Sequence, residues 1–377
     1  MKSKLLTIIT VVTLLFLALI GTAYATSKTV STAAELEKAL VDCDHANLGD
    51  YTIVVAPNST IEGNFVVSQR AGTYVTIIGD GSTTVIKGQI KLNGHSASDD
   101  ASVTIKDLIF DATGLSVDYM IGQNYTANGA DSPRYPRNLT VDGCSFMGNS
   151  EVVAVKVAQN QGFVKIVDCT AEGMHSLLQA TSSGVNPLTV DSCTVTNTTD
   201  GRGVSLGNAQ NAIVKNCTFD VADDKYAVRT DLNSSGPTNV SITGNTFKGG
   251  QPIVVRKIAS DHSHTLTVAG NTYSQLTVEE SDKVITLEDN ATLDMFTGEE
   301  QAISDKENTF KASATEPSAE PTTKPAPTPA PSSSPISTPV PTPPKSGDET
   351  NLLGWMLLSG LSFVGIICLG KKRLSKR

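Results

Sequence analysis

Along most of the chain, apolar and polar positions alternate in short runs that Asn, Asp and Gly interrupt. AVKVA (154–158) and GVSLG (203–207) are typical, with every second residue apolar and the ones between polar or small. That period puts one side of each run in a core and the other in solvent, which predicts β-strands. One segment departs from it. In STAAELEKAL (31–40), Leu36, Ala39 and Leu40 form a helical stripe, and Ser31 or Thr32 can cap the helix it predicts.

The strand pattern repeats. LTVDGCSF (139–146), KIVDCTA (165–171), LTVDSCTV (188–195), IVKNCTF (213–219), SITGNTF (241–247) and LTVAGNTY (266–273) align without gaps at their centres. The matched position holds Cys144, Cys169, Cys193, Cys217, Asn245 and Asn271, in steps of 25, 24, 24, 28 and 26 residues. VTIIGDGS (75–82) and VTIKDLIF (103–110) fit the same frame more loosely. Steps this even, with one residue type at one phase, favour solenoid coils over sandwich strands. Equivalent side chains of such coils lie one above another at about 4.8 Å.

On these residues the stretch from about 30 to 287 resembles the right-handed parallel β-helix proteins of the pectin-lyase-like superfamily. The opening, STAAELEKAL (31–40), then YTIVVAP (51–57), then TIIGDGSTTVI (76–86), resembles that family as well. The resemblance implies an all-β, right-handed parallel β-helix, whose exposed first coil the predicted helix would cap. It leaves the chemistry open, because the superfamily holds lyases, hydrolases, esterases, adhesins and inert scaffolds.

The two ends read as targeting segments. Lys2 and Lys4, the apolar run 5–20 and Ala23-Tyr24-Ala25 form a signal peptide over 1–25. Residues 352–369 carry no charge, and Lys371, Lys372, Arg373, Lys376 and Arg377 follow. That arrangement predicts a transmembrane helix with a cytoplasmic tail and everything upstream outside the cell. Between domain and anchor, 311–346 is dominated by Pro, Thr, Ser and Ala, with proline at every second position over 325–331. Nothing there can build a core, so a disordered stalk is expected, and the β-helix domain is 26–310. Pro344, Lys345, Ser346 and Gly347, ahead of the apolar run, resemble the cell-wall sorting signals cut by sortases. Pro343 stands at that family's Leu position and Ser346 at its Thr. The sorting segment is 343–377, and the implied location is a Gram-positive-type surface, with wall or membrane anchoring both open.

Charge narrows the partners. The chain has a formal charge of −9, and setting aside two signal lysines and five basic tail residues leaves 22 cationic against 38 acidic side chains, or −16. Nucleic acid, which needs a basic footprint, is disfavoured. An acidic polysaccharide would need a local basic patch or a bridging cation. Of six cysteines, Cys43 lies near the helix, Cys368 in the apolar tail, and four share the repeat position. No CxxC pair supports zinc. Stacked at about 4.8 Å, the four thiols sit wider than the roughly 3.5–4.5 Å Cβ spacing of a disulfide, and are expected free and buried. Asn245 and Asn271 continue the column and can hydrogen-bond along the axis.

Seven residues past the ladder lie Glu151, Ser176, Asp200 and Asp224, with Asp223 adjacent; twelve past it lie Lys156, Thr181, Ser205, Arg229 and Lys257. Strand alternation turns Val155, Val204 and Val228 inward and the twelfth position outward, giving an acidic and a partly basic column on one face. NTTDG (197–201) and ADDKYAV (222–228) resemble the acidic motifs of polygalacturonase-type hydrolases. That resemblance implies Asp200 with Asp223 or Asp224 as an inverting acid–base pair. KGGQ (248–251) stands where that family has Gly-His-Gly. A lyase would use Asp200, Asp223 and Asp224 on Ca²⁺, with Arg229 as base. Binding candidates are Lys156, Arg256 and Lys257, together with Tyr119, Tyr125 and Tyr135 in the long insertion 112–137, where aromatics can stack on sugars. The leading expectation is a surface-displayed protein that binds or adheres to carbohydrate or host material, with a polysaccharide or host surface glycan as partner. The alternative is a wall-displayed polysaccharide lyase or glycoside hydrolase, and a spacer without a ligand is a third reading.

Overall fold

A computed structural model of the chain describes residues 26–45, 49–69, 72–94, 101–123, 138–157, 162–180, 187–197, 199–231, 238–256, 264–288 and 308–310. The segments expected to be signal peptide, stalk, sorting signal and anchor lie outside the described residues, as do Tyr125, Tyr135, Thr181 and Lys257. Among the described residues no helix is long and apolar enough to cross a membrane. The described strands form a parallel β-solenoid. One sheet takes one strand from each coil, ten in all; the other has seventeen, two per coil through most of its length.

Register follows the repeat. Ile53, Ile77, Ile105, Val141, Ile166, Val190, Val214, Ile242 and Val268 pair in sequence across nine strands of the first sheet. All nine are essentially buried. Each is flanked by outward residues, so the alternation in sequence becomes the inside and outside of the wall. The helix Ala33–His45 packs on the strand Thr60–Gln69 and buries Leu36, Ala39, Leu40 and Cys43. Thr32 Oγ1 accepts from the Glu35 N–H at 3.3 Å, and Glu35 Oε2 accepts from the Thr32 N–H at 3.2 Å, a reciprocal cap.

The ladder position stands in file. Ser145, Thr170, Thr194, Thr218, Thr246 and Thr272, the residues after each ladder side chain, pair coil to coil. The residue before the ladder turns the chain: Asp107, Asp168, Ser192 and Asn216 have φ of 52–56°, and Gly143, Gly244 and Gly270 of 62–66°. This left-handed conformation favours Gly, Asn and Asp, which explains Gly143, Asp168, Asn216, Gly244 and Gly270 before Cys144, Cys169, Cys217, Asn245 and Asn271. Cys144, Cys169, Cys193 and Cys217 are buried and free. The adjacent ladder thiol, and then burial, push the thiols of Cys169, Cys193 and Cys217 well up, so little thiolate exists to react.

Each ladder side chain bonds the coil before it. Asn245 Nδ2 donates to the Val214 carbonyl at 3.0 Å and Asn271 Nδ2 to Ile242 at 2.9 Å. Asn245 Oδ1 accepts from the Cys217 N–H, and Asn271 Oδ1 from the Asn245 N–H, both at 2.9 Å. Cys217 occupies the same place with weaker contacts: its sulfur lies 3.4 Å from the Cys193 nitrogen and 3.8 Å from the Val190 carbonyl. Cys217→Asn is therefore expected to fold and to gain about 0.5–1.5 kcal/mol in urea unfolding. A loss above about 1 kcal/mol would show that this coil lacks room for the amide.

Sequence alignment misses one rung. Asn308 Oδ1 accepts from the Asn271 N–H at 2.9 Å, and Asn308 Nδ2 donates to Val268 at 3.3 Å. Thr309 and Phe310 pair with Thr272 and Tyr273. The Asn-Thr-aromatic triplet at 245–247, 271–273 and 308–310 was the available signal. Its last step, 37 residues, hides it from a search at the usual period.

Candidate functional site

The carboxylates singled out from sequence come together around a lysine. Lys225 Nζ lies 2.9 Å from Asp200 Oδ1 and 3.0 Å from Asp224 Oδ2, while Asp223 is exposed. Lys225 holds the Asp200 carboxyl below its usual range. A general acid needs the opposite shift, toward a proton kept at neutral pH. Among the described residues no three His, Cys, Asp or Glu side chains are grouped to hold a metal ion.

The basic column needs correcting. Lys156, Gln179, Ser205, Arg229 and Val254 share one row by strand register. Gln179 and Val254 therefore stand where counting twelve residues placed Thr181 and Lys257. The turn between ladder and strand varies in length, so the ladder frame does not carry across it. Nor does the row simply face solvent: Ser205 and Val254 are buried. Lys156 pairs with Asp118 at 3.2 Å, and Arg256 Nε with Asp231 Oδ1 at 3.1 Å. Tyr119 is no loop aromatic. It opens the strand Tyr119–Gln123, is 4% exposed, and lies so close over Gly122 that a Cβ there would fall 2.8 Å from its ring.

Beside this row the coils assemble three residues that sequence reasoning overlooked: His175, Arg202 and Tyr226. The Tyr226 ring carries the guanidinium carbon of Arg202 at 5.6 Å from its centroid and that of Arg229 at 4.9 Å. Both are cation–π distances. Arg202 Nη1 meets His175 Nε2 at 2.9 Å, and His175 Nδ1 meets the Ser150 carbonyl at 3.3 Å. The backbone fixes Arg202 too: its N–H donates to the His175 carbonyl at 2.7 Å, and its carbonyl accepts from Asn197 Nδ2 at 2.8 Å. Asn197 is itself buried, with Oδ1 accepting from the Met174 N–H at 2.9 Å.

The arginines are poorly compensated. Arg202 makes no ion pair within 4 Å among the described residues, although the Asp200 carboxylate feels its charge, and Arg229 reaches Asp231 only at 3.8 Å through Nε, on an oxygen Arg256 already holds. Ser205 Oγ and Arg229 Nε are buried without hydrogen-bond partners. Polar groups left this way are uncommon and costly. Gly203, between Arg202 and Val204, makes the close approach possible: a Cβ there would lie 2.0 Å from the Ala227 carbonyl. Gly203→Ala is expected to displace Arg202 from Tyr226 and cost about 1–3 kcal/mol of stability. An unchanged thermal midpoint would contradict that.

No protein-family model matches the chain, and no curated protein matches it significantly. Among solved structures the chain is similar to an alginate lyase from Paenibacillus sp. str. FPU-7 at 12% identity, with 76% of this chain and 99% of that one covered and a TM-score of 0.29. A likeness this weak bears on neither fold nor activity; the fold stands on strand register.

Proposed function

We propose that the chain is a surface-displayed β-helix protein of the pectin-lyase-like kind, and that it binds an extended acidic polysaccharide across Arg202, Tyr226 and Arg229. One observation carries the reading. On a domain with acidic side chains in large excess, two guanidiniums approach one aromatic ring, and the nearest carboxylate to Arg229 is Asp231 at 3.8 Å. Such a cluster suits an oxyanion attached to a ring: guanidinium forks take carboxylates in a planar, directional fashion, and tyrosine offers apolar area with a polar tip. The rows of the sheet extend the site along several coils, as a polymer requires. Surface display belongs to the same proposal and is supported by the export signal, the sorting-type motif and the charge-flanked apolar tail. Lysine neutralisation of Asp200 and Asp224 favours binding over acid–base cleavage.

The test is binding of the intact chain to polygalacturonate, hyaluronan and neutral dextran, with and without calcium. Retention of the acidic polymers alone, weakening with salt, is expected. Equal retention of dextran, or none of the acidic polymers, defeats the proposal. Unsaturated products absorbing in the ultraviolet would favour the lyase alternative, and new reducing ends alone the hydrolase.

A further inference from the structure

We infer that His175 and Arg202 form a proton-coupled anion site, in which an anionic group binding at Arg202 brings a proton onto His175. The inference rests on the polysaccharide reading and specifies how that site responds to acid.

A guanidinium has donors only. The 2.9 Å contact between Arg202 Nη1 and His175 Nε2 therefore requires a lone pair on Nε2, which assigns the neutral imidazole with its proton on Nδ1, facing the Ser150 carbonyl. One Arg202 donor is spent on that bond. Protonating His175 in the free protein would set an N–H against an N–H of a second cation. The charged groups facing His175 are Arg202, Asp200 and Lys156; burial and then Arg202 push its pKa below the usual histidine value. An incoming carboxylate or sulfate changes the balance. It screens the two cations from each other, accepts from the new Nε2–H, and accepts from the Arg202 donor that His175 releases.

The sign follows from linkage. Ligand raises the His175 pKa, so proton and ligand each strengthen the binding of the other. Affinity is flat at pH above the bound-state pKa, rises on acidification through it, and levels off below the free-state pKa. One proton permits at most about tenfold per pH unit. Histidine is the side chain that titrates ordinarily in this window, which sets the signal apart from carboxylates.

The experiment is calorimetry of the intact chain with polygalacturonate between pH 5 and 7.5, in two buffers of different ionisation enthalpy. About three- to tenfold tighter binding at the acid end is expected, with uptake of up to one proton per site. His175→Gln should lose the pH dependence of binding, whatever its affinity at pH 7.5. Wild-type binding without proton uptake overturns the coupling and leaves the polysaccharide reading standing, as does an undiminished pH slope in His175→Gln. Absence of binding at every pH overturns both. Because proton uptake is read on the wild-type chain, the test does not depend on the variant folding.

Discussion

Phe247→Ala is expected to lower the unfolding free energy by about 3–5 kcal/mol in denaturant titration. Phe247 is fully buried between Phe219, centroid to centroid at 5.6 Å, and Tyr273 at 5.2 Å, and Tyr273 stacks in turn on Phe310 at 5.2 Å. Truncation removes the ring and leaves a void that rigid walls on both sides cannot close, since each wall is held by backbone hydrogen bonds to the adjacent coils. It also breaks one interface of a molecule in which each coil is stabilised chiefly by its neighbours. Val195, two coils before Phe247 in the same row, is where the stack already gives way to an aliphatic side chain. Val195→Ala should therefore cost clearly less, about 1–2.5 kcal/mol. A loss below about 1 kcal/mol for Phe247→Ala would mean that the coils relax across the gap.

Arg229→Ala is expected to weaken polygalacturonate binding by about 10–100-fold, with little change in thermal midpoint. Arg229 contributes a charge, a planar fork and a cover for Tyr226, and its only carboxylate contact among the described residues is the 3.8 Å approach to Asp231. Removing it therefore disturbs few native bonds while halving the cationic pair on the ring. Arg229→Lys keeps the charge without the fork and should recover only part of the affinity. Salt titration gives an independent reading, because the variant should show a shallower dependence than wild type. Equal affinity of Arg229→Ala and wild type would move the binding surface elsewhere.

Part of this was legible along the chain. The ladder, its preceding turn residue and the inward rows of the first sheet are all local motifs repeated at nearly constant steps, so translation alone identifies their neighbours. Cys144 over Cys169 over Cys193 needs nothing more than a count. Asn308 escaped because 37 residues intervene where 24–28 are usual. The acidic residues were found as a group, since Asp200 and Asp224 share a ladder offset; that Lys225 bridges them was not, because ion pairing depends on side-chain direction at a turn.

The amino-acid pattern by itself determined which residues stack and which face the core, since both follow from a two-residue alternation and a coil-length period. Only the tertiary structure decided which side chains meet on the outside. Arg202 and Tyr226 share one offset, nine residues past Cys193 and Cys217, but His175 meets Arg202 because the coil of Cys169 is two residues shorter between ladder and strand, and Gly203 lets the backbone pass within a few ångströms of Ala227. Such offsets, two residues at Gln179 and three at Val254, arise in turns whose length the ladder repeat does not fix.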